Sequence, residues 1–378
     1  MAEVLIGVFL GLLSGLLPGL HSNTIISVIS SLGIDDESLA LIIIALLPAH
    51  LVTSFIPAIF FGIPESGTVV AVLPGQRMVL RGGGLVALKV ILFSSIIAAL
   101  LSIALFYFSL GLFPLIYGAV RQYMGWILLA VSATLLAKSR NPALALAVFL
   151  CAGTLGYFSL GSDMKDPFLP LFSGMFAVAA IVNYRKTRIP KQEDKEIGTS
   201  FIKFSVAGVF FGFMADLIPG VGSPSQVATF LSIFLPLNTI GYLAAISSIS
   251  VSEAIFSLST SASIDKSRIG ATVWLSELID IESNLPMLLT FFLISMVLTV
   301  GIIYVMRKHI AKLASLDFSR LNIILGLYLV SITFVLDGFF GLLVLAAGGA
   351  LGLATLKLGA ERINLMGAII VPTLLYFF

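Results

Sequence analysis

The chain has little charge, one cysteine and three histidines. Charged residues make up 11% of its 378 residues, whereas soluble domains carry about 25%, so a soluble globular protein is excluded. The single cysteine, Cys151, cannot form a disulfide within the chain. Three histidines and one cysteine do not suggest a metal site, and no phosphate-binding nucleotide loop is present. Direct ATP hydrolysis is therefore not expected, and the net charge of +2 does not indicate a nucleic-acid partner.

Apolar residues dominate instead, at 59% of the chain. Runs such as residues 39–61 and 85–110 are long enough to cross roughly 30 Å of hydrocarbon. The pattern contains about eleven to thirteen apolar segments of spanning or re-entrant type. It predicts an all-α polytopic protein of the cell membrane, with the lipid bilayer as its surroundings. The first apolar run begins near Val4 and carries the motif described next, so we expect a retained helix there.

One membrane-embedded motif occurs twice. Gly7–Ser22 reads GVFLGLLSGLLPGLHS and Gly208–Ser223 reads GVFFGFMADLIPGVGS, with eight of sixteen positions identical at a constant offset of 201 residues. Each copy is an apolar helical run that is stopped by a Pro-Gly pair, at Pro18 and at Pro219. A duplicated broken helix is the best sequence indication of the binding site of a secondary transporter.

The most charged stretch of the sequence separates the two copies. Residues 184–199 read YRKTRIPKQEDKEIGT, and their excess of arginine and lysine predicts a cytoplasmic position. A second basic cluster at residues 307–312 likewise predicts a cytoplasmic loop. We therefore expect a first transmembrane repeat over residues 1–184, a linker over 185–200 and a second repeat over 201–378. The two lobes are expected to be inverted relative to each other, with broken helices and re-entrant hairpins in each.

The residues after each Pro-Gly pair suit an anion site. Proline ends one half-helix, and the next half-helix presents free amide groups and a positive dipole end. Ser22, Asn23 and Ser223 are candidate N-caps. The predicted substrate-binding residues after the breaks are Gly19, His21, Ser22, Asn23, Thr24, Gly220, Gly222, Ser223, Ser225 and Gln226. The alternative is that these residues only cap a kinked helix.

A second polar segment follows each break, FFGIPESGT in the first lobe and IFSLSTSASI in the second. Aligning Phe61 with Phe256 places residues 65–68 beside residues 260–263, and predicts small hydroxyl residues at the tip of an apolar hairpin in each lobe. Such residues can coordinate Na⁺ through hydroxyls and freed carbonyls, although small residues also serve helix packing. The hairpin residues predicted to bind substrate are Ser66 and Thr68, and those predicted to bind the coupling cation are Thr260 and Ser261.

Four carboxylates lie inside apolar runs, where ionisable groups are costly and suggest function. Glu65, Asp216 and Glu253 are predicted to bind a coupling cation, Na⁺ or H⁺, and no other cofactor is expected. Asp337 precedes Gly338, and its position favours a loop between two spans.

Two arginines and two histidines each allow two interpretations. Arg77 is a candidate ligand for an anionic substrate, but Arg77 and Arg81 also suit a cytoplasmic helix end. His21 could hydrogen bond a carboxylate or titrate near neutral pH. His50, in LLPAHLV, is interpreted as a satisfied interior residue.

The segments GLLPGLHSNTI and DLIPGVGSPSQV, with FGIPESGT between them, resemble the large membrane subunit of the tripartite tricarboxylate transporters. The resemblance implies a secondary carrier of carboxylates driven by a cation gradient, with the two Pro-Gly breaks lining the substrate site. The chain is shorter than such subunits, so a compact, stand-alone relative is expected. A small membrane subunit or a second copy of the chain is a further candidate partner.

Three functions follow from the sequence. The first is a cation-coupled carrier of small organic anions, di- or tricarboxylates, that works by alternating access. The second is a translocase for an anionic lipid such as a polyprenyl phosphate, whose phosphate would suit the same broken helices. The third, an intramembrane enzyme, ranks last because no catalytic constellation stands out, and we expect no enzymatic activity.

Overall fold

The computed structural model describes residues 1–17, 20–184, 189–217, 224–225, 227–228, 231, 235, 237–267, 269–313 and 319–378. Within these residues the secondary structure is helical, with no strand. Seven of the described helices are long and apolar enough to cross a membrane, and four shorter apolar helices accompany them. The prediction of an all-α polytopic membrane protein is confirmed.

Sixteen α-helices can be delimited within the described residues. Those of the N-terminal half are α1 (Ala2–Leu16), α2 (Ser22–Ser30), α3 (Asp36–Thr53), α4 (Val72–Val79), α5 (Gly84–Ala104), α6 (Phe106–Val120), α7 (Met124–Lys138), α8 (Pro142–Leu160), α9 (Phe168–Phe172) and α10 (Ala179–Val182). Those of the C-terminal half are α11 (Ile202–Ala215), α12 (Thr239–Ile264), α13 (Gly270–Leu278), α14 (Ile281–Leu313), α15 (Ser319–Lys357) and α16 (Gly367–Phe377). π-helical turns over Pro57–Phe61 and Ser173–Val178 follow α3 and α9.

Two helices, α3 and α12, form the inside of the protein. In the most apolar part of the span that contains α3, 89% of the residues are buried. The corresponding share in α12 is 83%. The corresponding share is 22% for the span over Phe106–Lys138, whose apolar side chains are left for lipid. The helices α1 and α14 pack on α3, while α11 and α5 pack on α12.

Glycines of the repeated motif bring α1 onto α3 and α11 onto α12. A Cβ on Gly11 would overlap the carbonyl of Leu46, and a Cβ on Gly212 would contact the carbonyl of Ile249 at 3.1 Å. Small residues permit such close backbone approach between membrane helices. The glycines one turn earlier make the corresponding contacts, Gly7 with Ile42 and Gly208 with Ala245. The two helix pairs therefore match at an offset of 201 residues in the outer helix and 203 in the inner one.

Replacing Gly11 by alanine is expected to destabilise the protein by about 1–3 kcal/mol, the cost of overpacking a tight interface. The added Cβ would meet backbone and Ala49 of α3, which cannot rotate away. Thermal unfolding in detergent measures the effect. Gly118→Ala is the matched control, since nothing lies within 4 Å of a Cβ at that position in α6. Equal stability of the two variants would contradict the close packing of α1 on α3.

The first predicted helix break is observed, because α1 ends at Leu16 and α2 begins at Ser22. Pro18 and Gly19 lie outside the described residues. The N-cap of α2 is His21, whose Nδ1 accepts the main-chain N–H of Asn23 at 3.2 Å. The prediction that Ser22 or Asn23 caps this helix was wrong by one residue, since an imidazole nitrogen supplies the acceptor.

The second break cannot be followed through its whole length. The helix α11 ends at Ala215, and the chain is again helical at Pro224 and Ser225. The predicted break and cap residues between these points lie outside the described residues, namely Pro219, Gly220, Gly222 and Ser223. The same is true of Gln226. Their roles stay predictions.

The hairpin predicted in the N-terminal half is present. The chain leaves the helix at Gly62, whose φ of 72° lies in the left-handed region, and resumes as a 3₁₀ helix over Ser66–Ala71. We call residues 62–71 the first hairpin. Its turn returns the chain to α4 and places Glu65 beside the start of the 3₁₀ helix.

The corresponding hairpin tip in the C-terminal half is not where the sequence placed it. The helix α12 continues through Thr260 and Ser261 and ends at Asp265, which has a φ of 53°. The hydroxyl of Ser263 donates to Ser259 O of the same helix at 2.6 Å, a bond that serine can make without leaving the helix. The chain turns after Asp265 instead, and α13 begins at Gly270.

A break at Gly338 divides α15 into two segments. Gly338 has φ 63° and ψ −152°, a conformation that only glycine adopts readily. A continuous helix of 39 residues would be about 58 Å long, far more than the roughly 30 Å of a bilayer core. Asp337 lies directly before this break, and its Oδ1 accepts the main-chain N–H of Asp166 at 3.0 Å; the loop between two spans stays a prediction.

The polar linker is bound to the helix ends beside it. The side chain of Gln192 accepts the N–H of Gly84 at 2.7 Å and donates to Val79 O at 2.9 Å, and the N–H of Glu193 donates to Gly82 O at 2.8 Å. These contacts fix the linker at the turn between α4 and α5. The predicted division of the chain into residues 1–184, 185–200 and 201–378 stays a prediction.

Asp194 of the linker joins the two halves through an ion cluster. Its carboxylate lies 2.9 Å from Lys89 Nζ of α5 and 2.9 Å from Arg307 of α14. Hydrogen bonds from Lys89 and Arg307 lower the pKa of Asp194 below its ordinary value of 3.8. The second basic cluster lies in the last turns of α14 and not in a loop, and comprises Arg307, Lys308, His309 and Lys312. Linker and cluster thus contact each other at one end of the helices, and their cytoplasmic position stays a prediction.

Asp194→Asn is expected to lower the free energy of unfolding by about 1–3 kcal/mol, because the buried ammonium of Lys89 loses its counter-ion. A carboxyl group whose pKa is lowered in the folded state stabilises the protein at pH values above its ordinary pKa. This stabilisation is lost as the pH falls through the lowered pKa. Parent and variant should therefore differ in thermal unfolding at pH 7 and converge in acid. Glu193→Gln is the control, since Glu193 pairs with Lys195 at an exposed site. A pH-independent difference would contradict the ion cluster.

Candidate functional site

Two histidines and a glutamate meet at the first break. His50 is buried in α3, with its Nε2 3.1 Å from Glu65 Oε2 of the first hairpin and its Nδ1 2.9 Å from Ser14 Oγ of α1. The ring of His21 lies 5.4 Å from that of His50, centroid to centroid. One ligand atom each of His21, His50 and Glu65 lies within 4.8 Å of the other two. We call His21, His50, Glu65 and Ser14 the first-break cluster.

The first hairpin also contacts the chain that follows the second break. Glu65 and Thr68 form a capping box, in which Thr68 Oγ1 accepts the N–H of Glu65 at 3.2 Å. The hydroxyl of the buried Ser225 donates to Gly67 O at 2.8 Å. Pro224 lies 3.7 Å from a Cβ built on Gly67. Elements beside both breaks therefore meet at this hairpin.

The start of α2 faces the start of α13. A Cβ on Gly270, the first residue of α13, would lie 2.6 Å from Asn23 Cγ, so the Asn23 amide packs directly on that glycine. Asn23 Oδ1 is buried and has no hydrogen-bond partner among the described residues. Thr24 donates to Asp166 at 2.5 Å. Two positive helix ends and an unpaired amide oxygen thus lie side by side.

A second cluster of polar groups lies at the end of α11. Asp216 and Glu253 are 1% and 2% exposed, and they lie close enough for their charges to interact. Thr260 donates to Asp216 Oδ2 at 3.0 Å. Glu253 Oε2 has no hydrogen-bond partner in the described part of the chain. Buried carboxylates are costly inside an apolar helix bundle. We call Asp216, Glu253 and Thr260 the second-break cluster and regard it as a candidate cation site.

The two clusters occupy matching levels of the two helix pairs. The offset between α1 and α11 puts Asp216 where α1 has Gly15, and the offset between α3 and α12 puts Glu253 where α3 has His50. The N-terminal half therefore carries a histidine where the C-terminal half carries a carboxylate.

Ser261 lies near the turn that precedes α13. Its hydroxyl is 3.0 Å from Ser267 Oγ, and one turn earlier Ser257 Oγ is 2.8 Å from Thr272 Oγ1. These bonds hold α13 against the end of α12, so Ser261 has a structural role besides the predicted one.

Arg77, Ser22 and Ser66 are not members of either cluster, although Ser22 contacts His21. Arg77 is exposed in the last turn of α4, next to the linker, as a helix-end residue would be. Ser22 is buried under α2, with its hydroxyl 3.4 Å from His21 Nδ1. Ser66 begins the 3₁₀ helix of the first hairpin.

Sequence reasoning missed Ser14, Asp166 and Gly270. Each lies far along the chain from the residue that it contacts, so no spacing rule points to it. The one available signal was Ser14, a polar residue within an apolar helix of the repeated motif.

The model of the tripartite tricarboxylate transporter TctA family matches residues 1–367. The chain belongs to this family. An uncharacterized protein of Methanocaldococcus jannaschii is similar to this TctA protein, at 26% identity over 396 residues that cover 99% of the chain and 98% of that protein. No solved structure matches the chain. The resemblance seen in the repeated motif is confirmed.

Membership of the TctA family confirms a multi-pass membrane protein of the transporter class. The family name describes a tripartite system, which implies further subunits. A transporter family also fits the expectation that the chain is not an enzyme.

Proposed function

We propose that this TctA protein is a secondary active transporter of di- or tricarboxylates in the cell membrane, coupled to Na⁺ or H⁺ and working by alternating access. The observation that supports it best is the meeting of both break regions at the first hairpin, through His50 with Glu65 and Gly67 with Ser225. Transporters of this kind bind substrate between broken helices near the membrane centre.

The substrate carboxylates bind at the facing ends of α2 and α13. The positive ends of the two helices favour negative charge, and Asn23, which packs on Gly270 between them, has an Nδ2 amide group that can donate to a carboxylate. Further candidate substrate ligands are Gly19, His21, Ser22, Thr24, Ser66, Thr68, Arg77, Gly220, Gly222, Ser223, Ser225 and Gln226.

The coupling cation binds at the second-break cluster. Asp216 and Glu253 supply negative charge and Thr260 supplies a hydroxyl oxygen, ligands that suit Na⁺ or accept a proton. Glu65 and Ser261 are further candidates. Movement of one helix pair against the other would expose the site alternately to each side, and the inverted relation of the halves belongs to this proposal.

Uptake into liposomes tests the function. The purified chain is reconstituted alone and given labelled citrate or succinate, with an inward Na⁺ gradient, an inward proton gradient or neither. We expect accumulation of a carboxylate under one gradient and none in protein-free liposomes. If the chain alone accumulates no carboxylate but does so after a small membrane subunit is added, the expectation that it works without that subunit is wrong.

A second arm of the experiment addresses the alternative, in which the same broken helices move an anionic lipid. Flipping of a short polyprenyl phosphate, with no carboxylate uptake under any condition, would overturn the carrier proposal.

A further inference from the structure

We propose that His21, His50 and Glu65 form a binding site for a divalent transition-metal ion, with Zn²⁺ as the best-suited ion. The three side chains come from the cap of α2, from α3 and from the first hairpin, and one ligand atom of each lies within 4.8 Å of the others. Two imidazoles and one carboxylate are a ligand set that Zn²⁺ accepts, with water in the fourth position. The site is a property of the fold and does not depend on the proposed transport function.

The distances suit a metal. Ligand atoms about 2.0–2.2 Å from a tetrahedral Zn²⁺ lie about 3.4 Å from one another. The pair His50 Nε2 and Glu65 Oε2 is already 3.1 Å apart. The remaining separations need to close by at most about 1.4 Å to reach that geometry, a change within the range of side-chain rotation.

Ser14 holds the ring of His50 in place. Its Oγ lies 3.1 Å from Gly11 O and 2.9 Å from His50 Nδ1. The hydroxyl has one hydrogen, which can go to Gly11 O or to Nδ1. In the arrangement in which it goes to Gly11 O, Ser14 accepts the Nδ1–H of His50. The lone pair of Nε2 then faces Glu65 Oε2, 3.1 Å away, and a metal ion can bind both atoms.

The contacts of Glu65 leave capacity for a metal. Its Oε1 is buried and has no hydrogen-bond partner among the described residues. The capping box with Thr68 holds its backbone in place. A hydroxyl that orients one ligand and a cap that orients another are the supporting contacts that metal sites use.

His21 is the ligand that must adjust. Its Nδ1 accepts the N–H of Asn23 at 3.2 Å, a long hydrogen bond. A metal bound to Nδ1 would replace that hydrogen bond. A metal bound to Nε2 would require the ring hydrogen to lie on Nδ1, which could then no longer accept. The ring is only partly buried, which leaves it room to turn and gives an ion a way in. A bound metal would tie α2, α3 and the first hairpin together, and would stabilise the folded protein against heat.

Zn²⁺ binding to the purified chain, in detergent and without a histidine tag, tests the proposal by calorimetry. We expect one ion per chain and a raised unfolding temperature. Three variants each remove one metal ligand and keep the other interactions of that side chain. In His21→Asn the asparagine still caps α2, in His50→Asn the amide can still donate to Ser14, and Glu65→Gln is isosteric. Each should weaken Zn²⁺ binding at least about 100-fold. Loss of a contact that only supports a ligand costs up to about 100-fold, and loss of the ligand itself should cost no less.

The third histidine provides the control. His309 is exposed in the last turns of α14, so His309→Ala should bind Zn²⁺ like the parent. Co²⁺ gives a second readout, since a tetrahedral site produces intense visible absorption. Unfolding curves without metal verify that each variant folds, and any one folded ligand variant suffices for the test. Binding that persists in the folded variants, or that is lost in His309→Ala, would overturn the proposal.

Discussion

Neutralising Asp216 or Glu253, as Asp216→Asn or Glu253→Gln, is expected to lower gradient-driven uptake about 10- to 100-fold. Each change removes one anionic ligand from the second-break cluster, and an interaction with a charged group contributes about 1.5–3 kcal/mol, where each 1.4 kcal/mol is about tenfold. Both carboxylates are almost fully buried, so few groups could replace the lost charge. Uptake into liposomes under an inward Na⁺ or proton gradient measures the effect.

Two comparisons make this result specific. Exchange of labelled for unlabelled substrate without any gradient should persist in both variants, because only coupling is removed. Glu277→Gln is the matched control, since Glu277 is an exposed carboxylate of α13 in the same half of the chain. Undiminished accumulation in both neutral variants would place the coupling site elsewhere, with Glu65 as the next candidate.

Gly270→Ala is expected to raise the substrate KM at least about tenfold, through the loss of roughly one charged hydrogen bond, and to leave stability nearly unchanged. The added Cβ would occupy the place of the Asn23 amide. That amide is the far end of a flexible side chain, so it can rotate away with little cost to the fold. Its rotation removes a polar group from the facing ends of α2 and α13.

Gly301→Ala is the control for this second prediction, because a Cβ at Gly301 in α14 has nothing within 4 Å. Asn23→Ala should reproduce the effect of Gly270→Ala on KM, since both variants remove the same amide. A normal KM in Gly270→Ala, together with an unchanged unfolding temperature, would show that the substrate binds away from these helix ends.

Much of the architecture was predictable because a bilayer allows few solutions for an apolar chain. Long apolar runs must become helices, since their backbone groups have no water to bond. A Pro-Gly pair disfavours continuation of a helix, and α1 does end before one, whereas Pro74-Gly75 is accommodated near the start of α4. By contrast, the hairpin tip assigned to Thr260 and Ser261 was wrong, because α12 continues to Ile264 and a serine hydroxyl can also bond a carbonyl of its own helix.

The candidate sites divide in the same way. Glu65, Asp216 and Glu253 could be selected from sequence alone, because a carboxylate in an apolar run is costly wherever it points. Their neighbours could not be selected, since which side chains meet depends on how α1, α2, α3 and the first hairpin cross. His50 is buried and has partners on both ring nitrogens, as the sequence interpretation expected, but only the fold shows that those partners are Ser14 and Glu65.

The sequence by itself determined a polytopic α-helical protein of the TctA family, with a duplicated Pro-Gly motif and carboxylates inside apolar runs. Composition and local backbone chemistry decide those features, and both are written along the chain. Only the tertiary structure decided that His21, His50 and Glu65 meet, that Asn23 lies on Gly270, and that the two halves place different groups at the same level. Contacts between residues far apart in sequence depend on glycine-mediated helix packing in three dimensions, which no periodicity in one dimension specifies.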